Sequence, residues 1–278
     1  MSLFFYRELH MDLVYIQKHW TNKMNTNLSA SIAAWDSVAD EYVYDDTVNF
    51  SNNAFLQLIQ EKVPLNKDMS VLDVGCGAGA YSVALSTKVG KVVGTDFSPK
   101  MLDVGKRYVA EHQIQNIEFV ERDWWSCDGS EFERKYDLVF AHTTPAIADY
   151  ESFVKMIAAS KGYCALCKPA RRTDEVSDVV RSMVGLKEGY GSDDSIAYAF
   201  DTIWAMGGNP EIDYHKTVWK SSKPLDEAKL WYLNRLKGSC VIDDKMERLI
   251  CDYLEEISDN GVVRETTHTT LVTMIWEV

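Results

Sequence analysis

An apolar run that carries an acid, Val71-Leu72-Asp73-Val74, leads straight into Gly75-Cys76-Gly77-Ala78-Gly79, and Ala80 to Thr87 reads as the start of a helix. Strand, glycine turn and helix N-terminus in that order bring backbone N–H groups close to a ligand, and glycine permits both close approach and positive φ. The chemistry of such a loop is nucleotide binding. Two further acids are spaced to join it. Asp96 follows Gly75 by 21 residues and closes a second apolar stretch; Asp123 closes a third. In an open parallel sheet, ligands bind beyond the strand C-termini at the topological switch point. A carboxylate after the second strand suits a ribose diol, because it accepts from both hydroxyls. A carboxylate after the third accepts from an adenine amino group. Phe97 and Trp124 adjoin these acids as flat partners for a purine ring.

The loop by itself also fits a dinucleotide fingerprint, Gly75-x-Gly77-x-x-Ala80, which keeps an NAD(P)-dependent oxidoreductase open as an alternative. Asp73 just ahead of the loop would repel a pyrophosphate but suits a cationic ammonium group, and Asp123 lies outside that fingerprint. The pocket therefore reads as one for adenosine joined to an amino acid. Residues 71–79, 92–101, 117–124 and 136–145 resemble the successive motifs of class I S-adenosylmethionine-dependent methyltransferases, and the resemblance covers residues 35–170, with the C-terminal strand following more loosely. It implies an α/β fold: a Rossmann-like, seven-stranded, mostly parallel sheet with an antiparallel last strand. It implies S-adenosyl-L-methionine as cofactor, with Gly75, Gly77 and Gly79 at its methionine and ribose portions. Asp73 would lie near its ammonium group and Asp96 on the ribose. Phe97 and Met101 would flank the adenine, with Asp123 and Trp124 at its edge.

Methyl transfer is an in-line displacement at a sulfonium, so holding the acceptor close and aligned supplies much of the catalysis. A base is required only if the acceptor arrives protonated. His142, in Phe140-Ala141-His142-Thr143-Thr144-Pro145, is the candidate base, because the resemblance puts this position opposite the transferred methyl and a neutral imidazole takes a proton near pH 7. The competing reading is that His142 only shapes the pocket. Thr143 and Thr144 read as loop-capping hydroxyls. Cys164 and Cys167 have metal-pair spacing, but three residues apart on a strand they point to opposite faces, and no second Cys or His pair stands at zinc spacing, so buried thiols and no metal are expected. His215 and His268 read as partly exposed strand residues.

The elements that must position these groups alternate. Strands are expected at Ser70–Val74, Lys91–Thr95, Ile117–Glu121, Tyr136–Phe140 and Tyr163–Cys167, with helices between them, hence a parallel sheet covered on both faces. Ser98-Pro99 supplies an N-cap and first-turn proline. Ahead of the sheet, Phe5, Leu9, Leu13, Ile16 and Trp20 share one helical face; Ile32, Trp35, Val38 and Tyr42 share another; Phe55, Leu58, Ile59 and Val63 a third. Past Pro169, Arg171 to Asp174 is polar. Helices are then expected around Val176–Met183 and Ile196–Trp204, a sixth strand at Ile212–Trp219, and two helices after Pro224, the last capped by Gly261. Val262–Val278 alternates and reads as a long strand. The chain thus divides into an N-terminal helical cap (1–50), a nucleotide-binding core (51–170), a helical lid with a sixth strand (171–259) and a strand that completes the core (260–278).

Of 278 residues, 29 are Lys or Arg and 42 are Asp or Glu, a net charge of −13 that argues against a large nucleic-acid footprint. No apolar run has the roughly 20 residues of a membrane span, and Met1 to His10 lacks a secretory apolar region; Met11 and Met24 offer other starts. Six cysteines do not make a disulfide framework in a chain this long, so a cytoplasmic protein is expected. Trp20, Trp35, Tyr42, Tyr44, Tyr190, Tyr198, Trp204, Trp219, Trp231 and Tyr232 would line a lid for a small, partly apolar or cationic acceptor, or else pack the extra helices. The function read from the sequence is methylation of a small molecule by a monomer or homodimer, with no nucleic-acid or membrane partner. It competes with a non-catalytic S-adenosylmethionine-binding regulatory protein and with an enzyme whose acceptor is a protein or RNA.

Overall fold

The computed structural model describes residues 13–22, 27–42, 44, 48–186 and 192–278. Phe5, Leu9, Tyr190, Met11 and Met24 lie outside them. A single sheet holds β1 (Ser70–Val74), β2 (Lys91–Asp96), β3 (Ile117–Glu121), β4 (Tyr136–His142), β5 (Ser160–Asp174), β6 (Glu211–Pro224) and β7 (Val262–Glu277) in the order β3-β2-β1-β4-β5-β7-β6. The first five strands are parallel, and β7 runs antiparallel to both β5 and β6. The chain steps outward from β1 to β3, then returns to lay β4 on the other side of β1. The crevice between the C-terminal ends of β1 and β4 is therefore the switch point at which such sheets take a ligand.

Alternation along the central strands sorts the core into two layers. Leu72, Val74, Val139, Ala141, Cys164 and Leu166 pack on α6 (Tyr150–Ala159), α8 (Ser192–Ala205) and α1 (Leu13–His19). Val71, Val92, Leu138, Phe140, Ala165 and Cys167 pack on α3 (Ala54–Lys62) and α4 (Ala80–Ser86). Cys164 and Cys167 fall in opposite layers as buried free thiols. A third cluster sits beyond the strand ends. There α2 (Leu28–Asp36) meets α9 (Leu225–Lys237), with Trp35 edge-on to Trp231 at 5.7 Å, and α7 (Ser177–Met183) and α10 (Asp244–Ile257) pack alongside. Helices α2, α7, α9 and α10 thus pack as one cluster over the crevice. Between β2 and β3 runs α5 (Pro99–Glu111), capped by Ser98 Oγ, which accepts from Met101 N at 3.2 Å.

Four local expectations are corrected. The polar stretch Arg171–Asp174 continues β5 past a bulge between Ala170 and Thr173, because Arg172 and Asp174 pair with each other and Asp174 accepts from Thr267 Oγ1 of β7. Likewise β6 runs to Pro224, well beyond Trp219, held by continuous pairing with β7 although most of its side chains are exposed. Gly261 is not a helix cap: α10 ends at Ile257, and Gly261, at φ +74°, turns the chain into β7. The second N-terminal helix is also shorter than its apolar periodicity, since α2 stops at Asp36 and a 3-10 turn at Ala39–Glu41 carries the chain on to Tyr42.

Candidate functional site

The glycine loop is shaped by its backbone. Gly75, Gly77 and Gly79 have φ of +69°, +55° and +87°, in the region that side chains disfavour. The N–H groups of Gly75 and Cys76 both donate to Thr95 O of β2, at 2.8 and 2.9 Å, which pins the loop to the neighbouring strand. Gly75 and Gly77 differ in what they tolerate. A Cβ on Gly75 would fall 2.0 Å from Thr144 Oγ1, whereas nothing lies within 4 Å of one on Gly77. Gly75 is needed for packing, and Gly77 keeps a space open.

That space is a cavity of about 340 Å³ roofed by the loop, at the small end of the usual range for ligand sites. Every sequence-predicted site residue lines it except Asp73: Gly75, Gly77 and Gly79 from the loop, Asp96 at the end of β2 with Phe97 and Met101 beyond it, Asp123 and Trp124 after β3, His142 at the end of β4. Asp73 is a correction. Its side chain is 3% exposed and turned beneath the loop, where Oδ2 accepts from Ser82 Oγ of α4 at 2.7 Å; burial pushes its carboxyl up to about 7. It braces the first turn of α4 and does not face the ligand space.

Asp96 stands at the cavity wall with Oδ2 accepting from Gly77 N at 2.9 Å and Oδ1 from Ser98 N at 2.8 Å. Burial raises its pKa, and those backbone N–H groups oppose the rise. Asp123 caps its own turn, accepting from Trp125 N and Ser126 Oγ at 3.1 and 2.6 Å. The next two residues divide their work. The ring of Trp124 is committed to the core, 2% exposed, 5.2 Å from Phe132, its indole N–H donating to Ser152 O. Trp125, not singled out from the sequence, has its ring 5.8 Å from Phe97, and its indole N–H is buried without an acceptor among the described residues. Tyr44, another cavity residue, hydrogen-bonds Ala78 O of the loop and stacks on Tyr108 at 3.7 Å.

His142 closes the floor. Its ring lies 4.0 Å from that of Tyr81 and 4.7 Å from Phe55, and Nδ1 is 3.1 Å from Thr143 Oγ1. Burial among these rings lowers its pKa to about 3, so the imidazole is neutral at physiological pH. Thr144 Oγ1 accepts from Ala146 N, a loop cap as expected. On the far side of this group opens a second cavity of about 1080 Å³, between the cap, the lid and the projecting ends of β5, β6 and β7. Tyr81, His142 and Thr143–Pro145 line both cavities, as do Trp35, Glu41 and Tyr42. Trp20, Tyr198, Trp219, Trp231, Tyr232 and His215 line the larger one, whereas Trp204 stands 53% exposed on the surface. His268 is exposed on β7. Tyr81 has no distinguishing signal in the sequence beyond its place one residue into the helix that follows the loop.

Residues 65–196 match a family model described as a methyltransferase domain. Demethylmenaquinone methyltransferase of Bacillus cereus is 26% identical over 167 residues, 56% of this chain and 65% of that protein; the chain spans just under two thirds of the length of such curated relatives. Among solved structures, a Bacillus halodurans protein provisionally described as a methyltransferase aligns over 81% of this chain and 99% of its own, with a TM-score of 0.50 and 14% identity, which speaks for a shared fold. A SAM-dependent methyltransferase from Aquifex aeolicus aligns over 87% and 98%, with a TM-score of 0.48 and 15% identity.

Proposed function

We propose that the chain, whose residues 65–196 match a methyltransferase-domain model, is a class I S-adenosylmethionine-dependent methyltransferase that transfers a methyl group to a small molecule held in the larger cavity. The observation that carries this reading is the shared rim: the smaller and larger cavities meet at Tyr81, His142 and Thr143–Pro145. A donor in the first and an acceptor in the second come together at that point.

The smaller cavity suits the cofactor on the chain's own features. Gly77 leaves room beside the backbone, Asp96 offers carboxylate lone pairs, and the Trp125 indole N–H is a buried donor in want of an acceptor. When bound, S-adenosylmethionine supplies an electrophilic methyl on a sulfonium. In this reading Gly75, Gly77 and Gly79 border its methionine and ribose portions, Asp96 accepts from the ribose, and Phe97 and Met101 flank the adenine. Asp123 and Trp125 hold the adenine edge, Trp124 supporting them from the core. His142 works as a neutral imidazole that accepts a hydrogen bond from the acceptor and orients it; so low a pKa makes it a poor base until the acceptor binds. Packed rings on either side keep water from the rim, and alignment supplies the rate.

Six free thiols support a cytoplasmic setting. No helix among the described residues is long and apolar enough to cross a membrane. The test pairs two measurements. S-adenosylhomocysteine should raise the melting temperature while NADH does not, and label from methyl-labelled S-adenosylmethionine should appear in the low-mass fraction of a cell extract. Stabilisation by NADH alone, or label confined to protein or RNA, would overturn the reading.

A further inference from the structure

One buried cation of the larger cavity, Lys168, makes no ion pair among the described residues; the Asp149 carboxylate acts on it only through space. Lys168 lies on β5, immediately after Cys167, whose Cα pairs with that of His142 and whose carbonyl accepts from Thr143 N at 2.9 Å. Successive strand residues point to opposite faces, so the Lys168 side chain leaves β5 on the face opposite Cys167, and its contact with Ile147 brings the ammonium to the loop that follows Pro145 of the rim. It lines the larger cavity and is only 8% exposed. Its ammonium donates to Ile147 O at 2.5 Å, and no carboxylate lies within ion-pair distance of it among the described residues. A buried ammonium with one neutral partner keeps two N–H donors and most of its desolvation cost. Consistent with that cost, burial lowers its pKa to about 8.

Two other cations of the cavity are paired: Arg172 is held by Asp174 through two hydrogen bonds of 2.7 Å, and Lys223 bonds Glu41; Arg181 and Arg235 also line it. Of the acids, Glu265 accepts from Ser177 N and Tyr232 OH, while Asp194 and Asp213 sit at the exposed margin. The remaining wall near the rim is ring-lined, by Trp20, Phe55, Tyr81 and Trp35.

From this placement we infer that the methyl acceptor is an anion, an aromatic or similarly flat apolar molecule whose carboxylate or equivalent group is seated on the Lys168 ammonium beside the rim. The inference rests on the methyltransferase reading and narrows its acceptor, replacing the cationic option raised by the aromatic residues alone. It makes Lys168 a binding residue for the acceptor, with no part in holding the cofactor.

The experiment uses the full chain with S-adenosylhomocysteine bound and measures calorimetric binding of benzoate against benzamide, followed by hydroxybenzoates against the matching hydroxybenzamides. The carboxylates should bind at least about tenfold more tightly than the amides. Lys168→Gln should abolish that preference, and Lys168→Arg should retain part of it; both should bind S-adenosylhomocysteine like the parent. Equal binding of acids and amides, binding of neither, or a preference that survives Lys168→Gln would overturn the inference. Failure of S-adenosylhomocysteine to bind the parent protein would instead sink the methyltransferase reading.

Discussion

The two cavities that meet at His142 are built in opposite ways. The smaller is assembled mainly from the C-terminal ends of core strands and the short segments beyond them, namely the loop after β1, Asp96-Phe97 at the end of β2, Asp123–Trp125 past β3 and His142–Ala146 at the end of β4, with Trp35, Glu41, Tyr42 and Tyr44 of the cap closing one side. Its geometry is fixed by backbone conformation and by hydrogen bonds to the neighbouring strand, such as those of Gly75 and Cys76 to Thr95 O. The larger is assembled from segments as far apart as Trp20 and Thr273, and its walls are side chains from the cap, the lid and an extended three-strand ribbon. One end is prescribed by local rules that leave little latitude. The other is a packing of side chains from distant segments, the kind of site by which one fold can host different specificities.

The largest effect that would break this contrast is expected at Gly75. Gly75→Ala combines a left-handed φ with a 2.0 Å clash on Thr144, and should cost roughly 2–6 kcal/mol of stability in urea denaturation. Gly77→Ala sharpens the point: it carries only the conformational penalty of roughly 1–2 kcal/mol, yet its methyl enters the ligand space, so S-adenosylhomocysteine affinity should fall while the fold survives. If both variants unfold alike, the loop does not divide packing from binding.

Asp96→Ala should come next, with loss of charge-assisted hydrogen bonds worth about 1.5–3 kcal/mol each and at least a tenfold weaker Kd for S-adenosylhomocysteine by calorimetry. An unchanged Kd removes Asp96 from the cofactor site.

A pH experiment reads the floor between the cavities. His142 has a folded pKa of about 3, below its ordinary 6.5. The unfolded chain therefore binds the extra proton between those values, and this group withdraws stability as pH falls from 6.5 toward 3, by about 1.4 kcal/mol per unit. Asp73, raised to about 7, has the opposite sign: its contribution is complete below the ordinary 3.8 and is lost as pH rises through 7. The two oppose each other between about 4 and 6.5. His142→Gln should thus gain on the parent protein by about 1 kcal/mol between pH 6.5 and 5.5, followed by denaturant melts. Parallel pH curves for the two proteins would show that the ring protonates freely in the folded state.

The smallest effect belongs to the far wall. Trp219→Leu removes the ring beneath the Arg172 guanidinium, 5.4 Å away, and should cost about 0.5–1 kcal/mol in a thermal melt, with cofactor affinity unchanged. A large drop in cofactor affinity would mean that the two ends are not separately built.

The same division governs what is legible in the sequence. Strands β1 to β4 and the acids at their ends can be read because each is a buried run whose pattern and terminus lie within a few residues. Trp125 is passed over for Trp124 because the choice depends on a turn that Asp123 caps, which no periodicity announces. The outer half of β5 escapes because its residues Arg172 and Asp174 satisfy one another on a polar wall, so the strand carries no apolar alternation. The charge of Asp73 suggests a place with the ligand, whereas its position on the strand aims it at Ser82. Lys168 is inconspicuous because a lysine closing an apolar strand reads like an ordinary solvated end; only the lid makes it a buried one.

The place of β7 between β5 and β6 has a consequence for how the molecule assembles. Its pairs with β5 join residues 93 to 114 positions apart, from Asp174 with Thr267 to Tyr163 with Glu277. Such contacts bear the entropy of closing a long loop before any pairing rewards it. The nucleotide-binding half can complete its own pairings early, from β1 through β4, whereas β6 has no partner in the sheet until β7 arrives. On that account the larger cavity, walled by those late strands, takes shape after the smaller one.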